Sequence, residues 1–431
     1  MRRHSLISAF IAGAVASMAI PTDDVLRFGS PEEVGMLPGP LEDMIANLTA
    51  FTEARNWTDA TDGEILPIQP GGATLVARHS VIVSYFAFGK RSLWASVNST
   101  QGVKLPESDQ QDAEVDTIYD AASLTKMYTT VATLRCIDDG LFTLNGTVAD
   151  WLPEFGVNGK ENITVLQLMT HTSGFPASPS PLLYMPSFPT YESRIEAILA
   201  HGLLNRPGEA YVYSDMSYMT LMLLIERVTR KSLDVVVGEI TKKLGMTDTF
   251  FNKGNKEGGF DRYSRIAPTE FQRIVVGDLT PDRPQPCRTV HDEQAWSLNG
   301  VSGHAGLFTT VLDTARLCQM ILNNGTYNGH RILSQESVDH IFTNWNERFG
   351  SSPGRGAGFE LNQPSTAGPM ASELTASHTG FTGTSMVIDR GSGTLFVHFA
   401  NRVHPSREWS SNTIVRRTLG WWVATALERP V

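Results

Sequence analysis

The chain has 431 residues, 41 % of them hydrophobic and 19 % charged, with a formal net charge of −10. That length buries a large core and predicts two domains or one composite one, in a soluble globular protein. The acidic balance, without a long basic run, argues against nucleic acid or an anionic membrane as a main partner.

Arg2, Arg3 and His4 give a basic start, and the stretch from Leu6 to Ile20 is apolar and rich in small residues. Ala14-Val15-Ala16 or Ser17-Met18-Ala19 offers a cleavage site, so residues 1–19 read as a secretory signal peptide. The stretch is short for a membrane helix, and no second hydrophobic span follows, so no membrane span is expected. Asn-x-Ser/Thr sequons at Asn47, Asn56, Asn98, Asn145, Asn162 and Asn324 fit a secreted glycoprotein. Three cysteines, Cys136, Cys287 and Cys318, make at most one bridge rather than a disulfide framework.

In chain order, Pro40 to Ala54 has a helical pattern. Ala73–Ala77 and Val81–Phe86 read as a hairpin around Arg78-His79-Ser80. Leu93 to Asp116 is polar and reads as a loop. Helix is expected from Ser123 to about Asp139, and helical segments dominate to about Lys243. Asn252 to Val290 is polar and reads as a long irregular loop, a length that is usually functional or mobile. Thr384–Asp389 and Thr394–Phe399 flank Arg390-Gly391-Ser392-Gly393, a clear strand–turn–strand signal. Asn412 to Leu427 reads as a final helix.

Strands at both ends and helices between them predict an α+β fold. An antiparallel sheet, flanked by N- and C-terminal helices, is built from residues 25–110 and 300–431. A mainly helical domain, residues 111–299 with the loop 252–290, is inserted into it. The active site is expected in the cleft between the two parts.

Ser123-Leu124-Thr125-Lys126 places a hydroxyl and an amine three residues apart, on one face of a helix. A serine is a poor nucleophile until a neighbour takes its proton, and an unprotonated lysine can do so. In isolation the pattern equally describes a helix cap and a solvated lysine. Tyr213-Ser214-Asp215 supplies a phenol as a second candidate base, provided that nearby cations such as Lys126 lower its pKa. A core tyrosine is the plainer alternative. His378-Thr379-Gly380-Phe381 runs into the C-terminal strand pair, where glycine lets a ligand approach the backbone. Alone it is equally a turn before a strand.

Together the three motifs resemble those of the serine β-lactamase and penicillin-binding-protein family, with the order and spacing of class C β-lactamases, DD-peptidases and related esterases. Leu168-Met169-Thr170-His171-Thr172-Ser173-Gly174 and Pro207-Gly208-Glu209 resemble that family too. Val290-His291-Asp292-Glu293 and Gly303-His304-Ala305-Gly306-Leu307-Phe308 resemble its D-alanyl-D-alanine carboxypeptidase-like branch. The resemblance covers about residues 30 to 428 and implies that Ser123 is acylated, that Lys126 is its proton partner and that Tyr213 is the general base or acid. It implies an oxyanion hole made by the N–H groups of Ser123 and Phe381, with Asp215, His378, Thr379 and Gly380 lining the substrate site.

Two positions depart from the family. Asp215 stands where asparagine is usual, and His378 where β-lactamases commonly carry lysine. Both changes weaken a clamp for a substrate carboxylate, so a secreted serine hydrolase acting on esters is expected. D-alanyl-D-alanine carboxypeptidase or β-lactamase activity is the alternative, and an inactive scaffold of the same family a third. A register with Ser214-Asp215-Met216 as a Ser-Asp-Asn motif is disfavoured, since Met216 brings no amide. The substrate is a small-molecule ester, amide or peptide; no cofactor and no metal is expected, and the oligomeric state stays open. The chain has no His-Glu-x-x-His, and the adjacent His291-Asp292-Glu293 cannot easily all face one ion. The Gly-x-Ser-x-Gly of α/β-hydrolases is missing as well.

Overall fold

The computed structural model describes residues 24–59, 65–98, 101–253, 260–271, 288–350 and 354–431. The signal segment and Cys287 lie outside them.

One eight-stranded sheet organises the chain. The order along its main path is Arg27–Phe28, Val81–Ser92, Gly71–Arg78, Thr394–Ala400, Ser385–Asp389, Thr375–Thr379 and Glu360–Leu361, and Gln111–Asp112 pairs off that path with Val81–Ser92. N- and C-terminal segments meet at its centre, where Gly71–Arg78 runs antiparallel to Thr394–Ala400. All pairings are antiparallel except that of the two-residue first strand.

Both faces of the sheet are covered, which explains strands that read as continuous apolar runs. Leu75, Met386, Ile388, Leu395, Val397 and Phe399 belong to the core shared with the helical segments. Their neighbours Val76, Val387 and Phe396 face a second core under the terminal helices. This is the two-residue period of a strand. Helix Pro38–Ala50 buries Leu41, Met44 and Leu48 there, and helix Thr413–Ala426 buries Val415, Leu419 and Val423. Each such side chain contributes about 1.5–3 kcal/mol when fully buried.

The fold differs from the expectation in three places. The first helix ends at Ala50, four residues early. The polar stretch 93–116 is not a loop. Trp94–Asn98 pairs with Gln101–Lys104, anchored by Trp94 against Trp409 with ring centroids 5.2 Å apart. Distant packing rather than local pattern makes that hairpin. The segment 252–290 contains a helix, Phe260–Arg265. Beyond it Ile266 joins a small core with Ile118, Val290, Ala295, Ala305 and Phe308.

Among the described residues no helix is long and apolar enough to cross a membrane. Cys136 and Cys318 are buried and unbridged.

Candidate active site

Ser123 sits in a short 3-10 turn, Ala122–Leu124, that feeds helix Thr125–Asp138. Nearly every side chain of that helix is buried, as befits one enclosed by the core. Ala122 adopts φ +48°, a left-handed conformation that costs a non-glycine residue about 1–3 kcal/mol. Asp120 holds the turn: its Oδ1 accepts from the Ala122 N–H at 2.8 Å and its Oδ2 from the His291 N–H at 2.7 Å.

Lys126 is fully buried and all three of its ammonium protons have acceptors. Nζ lies 3.2 Å from Ser123 Oγ, 3.2 Å from the His304 carbonyl and 2.8 Å from Asp215 Oδ1. Burial disfavours its charge, but the Asp215 carboxylate and the Tyr213 phenol outweigh that and raise its pKa. That direction favours the ammonium form of Lys126 over the unprotonated lysine considered from the sequence.

Tyr213 precedes helix Asp215–Thr229, whose N-cap Ser214 accepts from the Ser217 N–H. His171, at φ +58°, accepts the Ser214 N–H on Nδ1 at 3.0 Å and so fixes the register of Tyr213 and Asp215. The Tyr213 ring lies 4.5 Å from that of His171, and Lys126 Nζ lies 4.9 Å from the Tyr213 ring centre. Met216 is fully buried in the core, and the Ser214 hydroxyl donates to the Pro176 carbonyl. Neither Ser214 nor Met216 of the alternative Ser-Asp-Asn register therefore lines the cleft, and Asp215, expected from the sequence to line it, pairs with Lys126 instead.

His378 and Thr379 end the strand Thr375–Thr379. His378 is buried and donates from Nδ1 to the Thr379 carbonyl, 2.9 Å away. Burial first, then the fields of Arg355 and Lys126, push its pKa well below the usual range, so it is neutral. His171 is neutral for the same reasons. Gly380 packs on the serine turn so closely that a Cβ would stand 2.0 Å from Thr384 Oγ1 and 2.5 Å from the Ala121 carbonyl. Thr382 and Thr384 donate to the carbonyls of Asp120 and Ala121 and bind this loop to the turn. Phe381 is exposed, and its N–H has no acceptor among the described residues.

Ser123, Tyr213, His378, Thr379, Gly380 and Phe381 line one cleft of about 580 Å³. A larger hollow of about 740 Å³ lies around Asp59, Thr413 and Trp421, but among the described residues its lining has no serine, cysteine, lysine, tyrosine or histidine. The smaller cleft is therefore the candidate site.

Four arginines that the sequence did not reveal line the same cleft: Arg355, Arg402, Arg407 and Arg416. Arg355 is 3.1 Å from Glu360 Oε1, and Arg407 binds Glu270 and Glu293. Arg402 and Arg416 have no such partner among the described residues. Arg402 donates to the carbonyls of Phe381, Arg407 and Ser410, and Arg416 to those of Gly380 and Thr384. Burial lowers both to about 10, which leaves them charged at neutral pH. The positive charge that His378 and Asp215 withhold is thus supplied from elsewhere in the chain. No local pattern marks either arginine.

The His291-Asp292-Glu293 side chains diverge, to Glu270, His304 and Arg407 respectively. Donor atoms of Asp215, Asp292 and His304 lie within 4.8 Å of one another. The Lys126 ammonium, 2.8 Å from Asp215, already supplies a cation to that trio.

The β-lactamase family model matches residues 67–419. An Escherichia coli O157:H7 protein with the provisional name D-alanyl-D-alanine carboxypeptidase is 30% identical over 449 residues, covering 98% of each chain. The structure is similar to that of a class C β-lactamase, with TM-score 0.65, 16% identity and 91% and 97% of the two chains covered. It is also similar to EstCE1, a hydrolase with promiscuous acyltransferase activity, with TM-score 0.64, 18% identity and 89% and 99% covered. With its sheet, its inserted helices and a match to the family model over most of its length, the chain belongs to the β-lactamase family of serine hydrolases.

Proposed function

We propose that the protein is a hydrolase that works through a Ser123 acyl-enzyme on donors ending in a carboxylate, of the D-alanyl-D-alanine carboxypeptidase type. The observation that carries the substrate class is the pair Arg402 and Arg416. An anionic group entering the cleft gains charge-assisted hydrogen bonds without displacing an existing ion pair. The full-length similarity to the E. coli relative supports the same reading.

In this mechanism the donor carbonyl oxygen accepts from the N–H groups of Ser123 and Phe381. Tyr213, beside Lys126, acts as the general base that takes the Ser123 proton while Oγ attacks the carbonyl carbon. The tetrahedral intermediate collapses, the bond to the leaving amine or alcohol breaks, and Tyr213 returns the proton to it. Water then adds to the acyl-enzyme, losing a proton to Tyr213, which returns it to Ser123 Oγ as the Oγ–acyl bond breaks and the acid product leaves.

A second reading, ester preference, rests on the neutral His378 and on the negative charge of Asp215. One experiment separates the two: kcat/KM for a peptide ending in D-Ala-D-Ala, for nitrocefin and for p-nitrophenyl acetate, with intact-mass detection of the adduct. A mass increase on the Ser123 peptide with the D-Ala-D-Ala substrate, and turnover above that of the ester, supports the first reading. Ester turnover alone supports the second, and no adduct with any substrate supports an inactive scaffold.

We further propose that the protein is secreted and carries N-linked glycans. Asn47, Asn56, Asn145, Asn162 and Asn324 are all exposed, as glycan attachment requires.

A further inference from the structure

The segments around Asp292 and His304 carry polar chemistry that Ser123, Lys126 and Tyr213 leave unused. His304 is 1% exposed, and both ring nitrogens are held. Nδ1 lies 2.8 Å from Ser302 Oγ, and Nε2 lies 3.0 Å from Asp292 Oδ1. The carbonyl of the same histidine accepts from Lys126 Nζ at 3.2 Å. Asp292 Oδ1 also accepts the Ala295 N–H at 2.8 Å, which caps the helix Glu293–Ser297. The preceding residue donates its N–H to Asp120, and Asp120 accepts the Ala122 N–H beside the nucleophile. A continuous circuit therefore runs from the serine turn through Asp120, His291–Asp292 and His304 to Lys126, and from Lys126 back to Ser123 Oγ at 3.2 Å.

We propose that Asp292 and His304 are positioning residues for the Lys126 ammonium: His304 aims its carbonyl at Nζ, while Asp292 fixes His304 and adds a second negative charge beside the Lys126–Asp215 pair. The inference rests on the acyl-enzyme reading above. Ser123 Oγ, the His304 carbonyl and Asp215 surround Lys126 Nζ, so a shift of the His304 carbonyl moves the ammonium relative to Ser123 Oγ. Misplacing a reacting group by about 1 Å costs on the order of 100-fold in rate. Removing a negative charge near a base makes the base easier to deprotonate. The titratable groups facing Asp292 are Lys126, Asp215, His304, Asp120 and Tyr184, and Tyr213 lies beside Lys126.

The test uses Asp292→Asn and His304→Gln in the full-length protein. Asparagine keeps the helix cap, so the fold is retained. Fluorophosphonate labelling of Ser123, thermal stability and the pH dependence of kcat and kcat/KM on a neutral ester are measured. Asp292→Asn is expected to lower kcat about 10- to 100-fold with KM held within about threefold. It also moves the acid limb of kcat/KM down by about one pH unit. His304→Gln keeps the Asp292 carboxyl and loses the ring contact that aims the carbonyl, so it lowers kcat with Ser123 labelling retained. An Asp292→Asn profile identical to wild type, or rate losses that track thermal stability with the limb unmoved, overturns the proposal while normal Ser123 labelling leaves the acyl-enzyme reading standing. Absence of labelling in the wild type overturns both.

Discussion

The Lys126 ammonium lies 2.8 Å from the Asp215 carboxylate, at a position where relatives of this type usually carry asparagine. The pairing changes what lysine can do. A charged Lys126 stabilises negative charge on its neighbours and accepts no proton, which in the proposed mechanism gives the proton of Ser123 to Tyr213.

If Lys126 and Tyr213 work as one proton-transfer unit, removing either disables both. Lys126→Ala and Tyr213→Phe are each expected to lose about 10³-fold in kcat, at the upper part of the usual range of acid–base effects. The double variant falls little further, because residues acting together are non-additive. Steady-state kinetics on one neutral ester measure all three. Losses that multiply to about 10⁶-fold point instead to independent roles.

Arg402 and Arg416 decide the acyl donor in the proposed reading. Arg416→Ala and Arg402→Ala are each expected to reduce kcat/KM for a D-Ala-D-Ala peptide at least tenfold more than for p-nitrophenyl acetate. The scale is that of a lost charged hydrogen bond, about 1.5–3 kcal/mol. Only the ratio is diagnostic, since both arginines also prop the Gly380–Thr384 loop and some loss on every substrate follows. An equal loss on both substrates confines the arginines to that structural role.

Much of this site was legible because its members stand in short, dense motifs. Ser123 and Lys126 are one helical turn apart, and His378 to Phe381 adjoin a strand pair whose apolar runs are unmistakable. The sheet was legible for the same reason: Leu75 and Val76, or Phe396 and Val397, alternate between two buried faces. Arg402 and Arg416 gave no such signal. They reach the cleft because the C-terminal strand and helix fold back beside Gly380, a relationship between distant segments that no local spacing encodes. The same holds for Trp94 against Trp409, whose contact turns a polar stretch into a hairpin. The charge argument for esters counted only residues inside the motifs, so the arginines did not enter it.

Gly380 is set by contact rather than by backbone angle. Gly380→Ala drives a methyl to within 2.0 Å of Thr384 Oγ1 and 2.5 Å of the Ala121 carbonyl. The loop carrying the Phe381 N–H must then move off the serine turn. Overpacking of this kind costs about 1–3 kcal/mol, and losing one oxyanion donor costs about 10²–10³ in kcat. The variant should therefore melt lower and turn over slowly. A Gly380→Ala protein with wild-type kcat would show that the Phe381 amide is not used.

Glycan occupancy tests the secretory reading independently of catalysis. Expressed with its own N-terminus in a eukaryotic host, the protein should appear in the medium starting after residue 16 or 19. Enzymatic deglycosylation should then lower its mass and convert occupied asparagines among Asn47, Asn56, Asn145, Asn162 and Asn324 to aspartate. Retention inside the cell with an intact N-terminus contradicts secretion.

His378 offers the sharpest contrast between the two substrate readings. The ring is neutral, because burial and the charges of Arg355 and Lys126 oppose protonation. His378→Lys introduces an ammonium beside Ser123, where β-lactamases commonly carry one. If the natural donor is a neutral ester, the new charge raises kcat/KM for carboxylated substrates relative to p-nitrophenyl acetate by tenfold or more. If Arg402 and Arg416 already hold the carboxylate, the added cation gains little, and the ratio of D-Ala-D-Ala peptide to ester stays within about threefold of wild type. Because the lysine enters a buried position, loss of fold is monitored by thermal melting, and only variants that melt as one cooperative unit are compared. A large rise in the ratio would sink the carboxypeptidase reading in favour of an esterase.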